Sequence, residues 1–484
     1  MQLRVDRTVL VVLAISTLLC LIASACLFGG YGYLQLRPLP TPTMSFVDSV
    51  RATATAQALE AARRPTATSA PSPTPEPTAA EPPTLQPAPT FTPGPTVEPQ
   101  PIATTAPSAP PPPTNTPKPA PTNTPRPVRN TTMIRGPYLQ WVRPQAITIV
   151  WETVDAVDSV VEYGPTQAYG STASDYNWTA QHEVTLTGLN PYTVYHYRVR
   201  SSGQVLGDDR TFRTAVGPGQ TSFTFAVLAD TAAGIDPAKD HMGRYRRSAD
   251  TGHQAAVGRI SAINPDFYLH AGGLTARGAE MSAWDDFFSF EGDLMSRITM
   301  FPSLGNYEQN HYNYFRLFHL PNNERWYSFD YGNAHFISLQ IDGYGDVRPG
   351  SEQYRWLEND LANTDKTWRI AFFHYPPYSY GPAGSKPEAR PVHSLFVQHG
   401  VDLVFSGYDR NYQRFPVDGV TYIVTGGGGA ALGDLTGGAE FAPAYMEQAK
   451  HVMKVTVTGH TLSCVAIRSD AEGSEMDPFT LTAN

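Results

Sequence analysis

Residues 368–377 read WRIAFFHYPP and set the pattern of the C-terminal half of this 484-residue chain. An apolar run of strand length, Trp368–Phe373, ends at a histidine and is closed by two prolines, as expected of a buried β-strand followed by a loop. Four more runs are expected to be buried strands: Phe223–Leu228, Asp266–His270, Asp402–Phe405 and Thr421–Val424. Helical stretches, such as Gln254–Ile263 and Ser351–Asn363, separate some of them. Continuous apolar strands with helices between them predict an α/β layered sheet.

Several residues with possible chemical roles follow directly after these strands. Asp230, Gly273, His374 and Tyr408 each lie just past a predicted strand end. Because ligands in α/β sheets bind outside the carboxyl ends of strands, we expect these positions to form one cleft.

The region before the α/β part has a different, shorter periodicity. Its alternating runs are Ala146–Glu152, Ser159–Tyr163, His182–Thr187, Val194–Arg200 and Asp209–Arg213. Short strands at regular spacing with turn residues between them predict a small antiparallel sandwich over residues 131–216. Trp151 is the expected centre of its core.

The N-terminus contains an uncharged apolar run, Val9–Leu34, behind Arg4 and Arg7. This length and charge distribution predict a transmembrane anchor within residues 1–37, with a cytoplasmic stub and the body outside the cell membrane. A cleaved signal peptide and a lipidated Cys26 are the alternatives.

Residues 38–130 are dominated by proline and threonine. Of the 44 prolines in the chain, 26 lie between Pro38 and Pro127, which predicts a disordered spacer unable to build a core. The net charge of −9 and the pI near 5.8 give no reason to expect a nucleic-acid partner. The expected partners are therefore the membrane, through the N-terminal helix, and an extracellular ligand.

Five segments together resemble the calcineurin-like metallophosphoesterases, and specifically the purple acid phosphatases. They are Val227–Thr231, Leu269–Leu274, Pro302–Glu308, Phe372–Pro377 and Val404–Arg414. The resemblance implies a two-sheet sandwich flanked by helices over residues 217–484. It also implies a fibronectin type III-like domain over 131–216, on the segments Arg135–Gln140 and Leu189–Tyr195.

The family holds two metal ions, and the resemblance locates the ligands of the first. Its aspartate is retained as Asp230, but the aspartate that bridges both metals is replaced by Gly273. The tyrosine ligand is replaced by Ala276, and the histidine ligand by Arg410. A guanidinium is always cationic and offers no lone pair, so it opposes metal binding.

The second metal keeps more of its ligands. Asn306 and His374 are retained, whereas Tyr408 replaces the remaining histidine ligand. Tyr307 replaces the histidine with which the family contacts the substrate. Four of the seven ligand positions are thus changed.

These changes favour a phosphatase-like protein that is catalytically inactive, holds no cofactor and binds or presents a ligand. With the predicted anchor, this protein would be membrane-anchored and extracytoplasmic. Two dications about 3.5 Å apart need a bridging anion, which glycine cannot supply. One alternative is a phosphomonoesterase with a single iron, zinc or manganese ion held by Asp230, Asn306, His374 and Tyr408. The other is an architectural envelope protein whose cleft has no ligand.

Arg410 is expected to take the place of the first metal. We predict that its guanidinium lies within about 4 Å of the Asp230 carboxylate as a salt bridge. Tyr307 and Tyr408 are expected to fill the volume of the two metals. Such a cleft would attract an anionic ligand through Arg410.

Overall fold

The computed structural model describes residues 129–217, 219–232 and 251–483. The predicted anchor and all but the last two residues of the predicted spacer lie outside these ranges. Within them, no helix is both long enough and apolar enough to cross a bilayer.

The N-terminal domain consists of six antiparallel strands. They are β1 (Met133–Arg143), β2 (Ala146–Gly164), β3 (Ser171–Thr187), β4 (Val194–Ser201), β5 (Gln204–Val205) and β6 (Arg210–Arg213). β2 pairs with β1, β3 and β4 and so connects the whole sheet. The two strands predicted at 146–152 and 159–163 are halves of β2, because the register shifts between Glu152 and Ser159 interrupt the alternation without ending the strand.

Trp151 lies at the centre of this domain, as predicted. Its side chain is fully buried and stacks on His182 with a ring-centroid distance of 4.7 Å. Tyr195 is also buried, and its hydroxyl accepts a hydrogen bond from the Asn190 N–H at 3.0 Å. The hydroxyl thus fastens the preceding loop to the core.

The strands described in the C-terminal domain form two sheets. Its strands are β7 (Ser222–Leu228), β8 (Phe267–Ala271), β9 (Thr299–Ser303), β10 (Tyr327–Tyr331), β11 (Ala334–Ser338), β12 (Trp368–Phe373), β13 (Leu403–Ser406), β14 (Tyr412–Val417), β15 (Val420–Thr425), β16 (Tyr445–Glu447), β17 (His451–Thr458), β18 (Thr461–Arg468) and β19 (Glu475–Thr482). One sheet has the order β19-β18-β17-β7-β8-β9, and the other β10-β11-β12-β13-β15-β14-β16. The central strands β7-β8-β9 and β11-β12-β13-β15 are parallel.

Aromatic side chains fill the space between the sheets. Phe225 of the first sheet lies 5.1 Å from Phe336 and 6.3 Å from Phe405 of the second, measured between ring centroids. All three side chains are fully buried. The predicted two-sheet architecture is confirmed.

Among the described residues of this domain, five α-helices connect the strands. They are α1 (Thr251–Ile263), α2 (Met281–Met295), α3 (Tyr312–Leu317), α4 (Glu352–Asn363) and α5 (His393–Gln398), with a short 3-10 helix at Pro387–Val392. α4 begins after Ser351, whose hydroxyl accepts the Tyr354 N–H. Its buried Leu357 and Leu361 belong to the core on the outer face of the second sheet.

The two domains share an interface made of hydrogen bonds and buried charge. The Tyr138 hydroxyl donates to the carbonyl of Leu317 at 2.7 Å. Arg135 of β1 pairs with Glu152 of β2 and with Asp285 of α2, and Arg316 of α3 also pairs with Glu152. Strands of the first domain are thereby joined to helices of the second.

Candidate functional site

The predicted cleft forms at the carboxyl ends of β7, β8 and β12. A Cβ placed on Gly273 would lie 2.9 Å from Asp230 Oδ1 and 3.2 Å from His374 Cε1. Residue 273 therefore sits between the two retained side chains, where the family resemblance placed a bridging carboxylate. Glycine leaves that position without any oxygen ligand.

Asp230 is buried beneath the loops that follow the strands. Its Oδ2 accepts the N–H of Tyr408 at 2.7 Å, and its own backbone has a φ of 59°. Burial raises the pKa of this carboxyl to about 7, although Arg410 and the Tyr408 N–H act in the opposite direction. The charged form of Asp230 is therefore poorly compensated near neutral pH.

His374 contacts Asn306, as the ligand set of the second metal predicts. Its Nδ1 lies 3.0 Å from the carbonyl oxygen of Ala271, so this nitrogen carries the proton. Burial lowers the pKa of His374 to about 4, which keeps the ring neutral and leaves a lone pair on Nε2. Nε2 lies 3.0 Å from Asn306 Oδ1, so a hydrogen bond between them requires the Asn306 amide to be turned with its NH₂ group toward the histidine.

Tyr408 lies beside His374 in a conformation unusual for a bulky residue. Its φ is 73°, and its ring meets the His374 ring edge-on with 5.5 Å between centroids. The ammonium of Lys386 stands 4.3 Å from the centroid of the Tyr408 ring. Sequence reasoning missed Lys386, because it lies in a loop outside every motif segment.

The predicted salt bridge between Arg410 and Asp230 is wrong. Across the described ranges Arg410 makes no ion pair, and its Nη2 donates instead to the hydroxyl of Tyr307 at 3.3 Å. The reason is steric: a Cβ on Gly407 or Gly426 would lie 2.6 Å or 2.8 Å from Asp230 Oδ2. Backbone encloses this oxygen, and the half-buried guanidinium stays outside.

The replaced positions Tyr307 and Ala276 do not fill the centre of the cleft. Tyr307 is 37% exposed, so it does not take up buried metal volume as expected. Ala276 is half-buried and follows Thr275, whose N–H donates to Glu308. Tyr408 is half-buried and comes closer to the expected role.

Glu308 is a further site residue that sequence reasoning did not single out. Its buried carboxylate accepts the N–H groups of Gly273 at 3.0 Å, Thr275 at 3.0 Å and Gly305 at 2.7 Å. Burial raises its pKa to about 7 despite these donors. Its place two residues after Asn306 in a recognised segment was the available signal.

The residues present do not fit a dinuclear metal centre. In the part of the chain that the structure describes, no three His, Cys, Asp or Glu side chains are grouped to hold a metal ion. Gly273 supplies no bridge, and the cations of Arg410 and Lys386 both act on His374. Positive charge thus lies beside the remaining donors.

Two family models match the chain. Residues 223–407 match the calcineurin-like phosphoesterase family, and residues 134–214 match the purple acid phosphatase N-terminal domain. These matches confirm the predicted resemblance to the purple acid phosphatases and the calcineurin-like phosphoesterases. The metallophosphoesterase fold is therefore established, and the family normally binds metals.

Some similar curated proteins are named as phosphatases, and others are named as inactive phosphatases. "Probable purple acid phosphatase 20" of Arabidopsis thaliana is 27% identical, over 57% of this chain and 68% of its own length. "Probable inactive purple acid phosphatase 1" of the same plant is 25% identical, over 62% of this chain and 57% of its own length. "Acid phosphatase type 7" of Mus musculus is 29% identical, over 56% of this chain and 68% of its own length.

Solved structures support the fold. The purple acid phosphatase PPD1 from yellow lupin seeds has a TM-score of 0.61 at 21% identity, covering 73% of this chain and 74% of that one. PhoD has a TM-score of 0.53 at 12% identity, covering 74% of this chain and 91% of that one. At these identities the likeness concerns architecture alone.

Proposed function

We propose that this phosphatase-like chain binds or presents a ligand without hydrolysing phosphate esters. The observation that carries the proposal is Gly273, which occupies the point between Asp230 and His374 without a ligand atom. Two-metal hydrolysis needs a bridging anion to hold two dications together. The inactive label on two relatives agrees with this reading.

A metal analysis combined with a phosphatase assay tests the proposal. The full-length chain would be analysed for iron, zinc and manganese after gel filtration and assayed with p-nitrophenyl phosphate, with and without each metal added. We expect no stoichiometric pair of metals and no turnover above a no-protein control. Two equivalents of metal with turnover would overturn the proposal.

A second candidate is a hydrolase with one altered metal. Asp230, Asn306 and His374 converge, and the guanidinium of Arg410 does not lie between them. This arrangement supports a single-metal site. It predicts one equivalent of metal, with turnover that disappears in His374→Ala and persists in Arg325→Ala, a matched change of an exposed residue. Metal binding without turnover would reject this hydrolase.

We also propose that residues 1–37 anchor the chain and that residues 38–130 hold the folded domains outside the cell membrane. The support is the uncharged run Val9–Leu34 behind Arg4 and Arg7, followed by the proline-rich tract. Protease added to intact cells should release a soluble fragment that begins within the spacer. Complete protection, or a fragment confined to the cytosol, would contradict this orientation.

A further inference from the structure

We infer that Lys386 and Arg410 form a metal-independent binding site for a tetrahedral oxyanion, such as the sulfate or phosphate group of an ester. The inference rests on the proposed function, because it assigns a ligand class to a cleft that does not hydrolyse. Arg410 replaces a histidine ligand of the family and cannot itself bind a metal, and Lys386 lies outside all five motif segments. Lys386 and Arg410 would supply the positive charge that metal ions supply in the metal-binding members of the family.

The two cations reach the same part of the cleft from different loops. Lys386 Nζ lies 4.3 Å from the centroid of the Tyr408 ring, which packs edge-on against His374. Arg410 follows Tyr408 by two residues, and its Nη2 lies 3.3 Å from the hydroxyl of Tyr307. Tyr307 in turn follows Asn306, which contacts His374 Nε2. Both cations also act electrostatically on His374, which is their common neighbour.

Both cations keep their charge available for a ligand. Neither Lys386 nor Arg410 forms an ion pair with any residue in the described ranges. Their partners there are aromatic: Lys386 stands over the Tyr408 and Tyr375 rings, and the Arg410 guanidinium carbon lies 5.9 Å from the Tyr307 ring centroid. Cation–π contacts are weaker than charge-assisted hydrogen bonds to an oxyanion, so a ligand can compete for these groups.

Three carboxylates of the cleft are directed toward other donors. Glu308 accepts three backbone N–H groups, as described above. Asp409 accepts the Ser379 hydroxyl and the Ala383 N–H, and Asp230 accepts the Tyr408 N–H behind a wall of glycine backbone. These three carboxylates are buried, whereas Lys386 and Arg410 are half-buried and Tyr307 is 37% exposed. This arrangement favours an anion at the mouth of the cleft.

An arginine and a lysine offer complementary contacts to such a ligand. The guanidinium presents a planar fork of donors, and the ammonium provides a compact charge that adjusts to the ligand. The exposed Tyr307 hydroxyl is a third donor beside Arg410. Sulfate and phosphate esters both fit this donor set, so their shared tetrahedral oxyanion defines the ligand class.

Calorimetric titration of the chelator-treated full-length chain tests the inference. Inorganic sulfate and inorganic phosphate would be titrated separately at constant ionic strength, with chloride as the non-specific control. We expect saturable binding of at least one oxyanion without metal. Lys386→Ala and Arg410→Ala should each weaken affinity by about tenfold or more, since each removes a charge-assisted contact. Arg410→Lys should retain more affinity than Arg410→Gln, and Arg325→Ala should bind like the unmodified chain.

The outcomes separate this inference from the proposed function. Equal melting temperatures would show that the variants remain folded. Absence of oxyanion binding, or binding unchanged in both alanine variants, would overturn the site while the non-hydrolytic function could still hold. Binding that appears only after metal is added would also reject it. Turnover of p-nitrophenyl phosphate would instead overturn the proposed function.

Discussion

Asp230 shows how much a single residue depends on what surrounds it. Its carboxylate is buried, accepts the Tyr408 N–H and lies next to Gly273. Burial is the main reason why its pKa rises to about 7. A raised acid pKa means that the folded state favours the neutral form, so ionisation lowers stability as the pH rises from about 3.8 to 7.

Asp230→Asn should therefore stabilise the metal-free protein at pH 8 by roughly 1–3 kcal/mol, since it removes a buried charge and keeps an acceptor for Tyr408. The gain should shrink as the pH falls from about 7 toward 3.8, where the carboxyl is already neutral in the folded state. Urea unfolding at several pH values measures this. A loss of stability at pH 8 that chelator abolishes would indicate a bound cation.

Gly273→Asp alone should restore no phosphatase activity and should lower the melting temperature. The residue has a φ of 70°, and its new Cβ would lie 2.9 Å from Asp230 Oδ1. A backbone conformation unfavourable for L-residues costs about 1 kcal/mol, and a second carboxylate adds repulsion. Gly438→Asp is the matched control, because a Cβ there meets open space. Substantial turnover by the single mutant would show that the motif has been misassigned.

At the scale of strands and helices, periodicity predicted the architecture well. Trp368–Phe373 is an observed strand with the predicted bounds, because it is buried on both faces and closed by prolines. The long β2 was predicted as two strands, because its register shifts interrupt the alternation. The C-terminal strands β17–β19 were not predicted, since they carry no motif; they pair with one another locally, and only the pairing of β17 with β7 spans a long sequence distance.

The site was predictable to a similar degree and for a similar reason. Asp230, Gly273 and His374 could be placed together because parallel strands bring their carboxyl ends to one edge. The direction of the Arg410 side chain could not be predicted, because it depends on how the backbone of Gly407 and Gly426 encloses Asp230. Lys386 was missed for the same reason: its position is set by loop packing rather than by a local pattern.

Two loops of the site are fastened by Glu308, which yields a prediction at this scale. Glu308→Gln should destabilise the protein by about 2–4 kcal/mol, because the amide group places a donor where the carboxylate accepted a backbone N–H. Glu280→Gln, which changes an exposed pair with Arg277, should stay within about 0.5 kcal/mol. Urea unfolding with and without chelator compares them. Similar stabilities of both variants would remove the assigned role of Glu308.

In the described part of the chain, ion pairs centred on Arg135 join the two folded domains. Arg135 is buried at 4% side-chain exposure and pairs with Glu152 of its own domain and Asp285 of the other. Arg316 and Tyr138 add further contacts across the same interface. Such an interface couples the unfolding of one domain to that of the other.

Arg135→Ala should lower the free energy of unfolding by about 3 kcal/mol, because it leaves Glu152 and Asp285 with fewer partners. The unmodified chain should unfold in one calorimetric transition, and the variant should broaden or split it. Arg348→Ala is the control, since Arg348 is 81% exposed and pairs only locally with Asp346 among the described contacts. Two separate transitions in the unmodified chain would show that the domains unfold independently.

Glu308 also bears on how a protein family can lose its metal ligands while the loops of the cleft keep their geometry. Its three donors are main-chain groups, which persist whatever side chains mutation places at residues 273, 275 and 305, provided those side chains fit. Loops secured in this way can drift in chemistry while inheriting their geometry. A catalytic ancestor could therefore discard its ions one ligand at a time, and each intermediate would still have presented a formed cleft to selection for a new role.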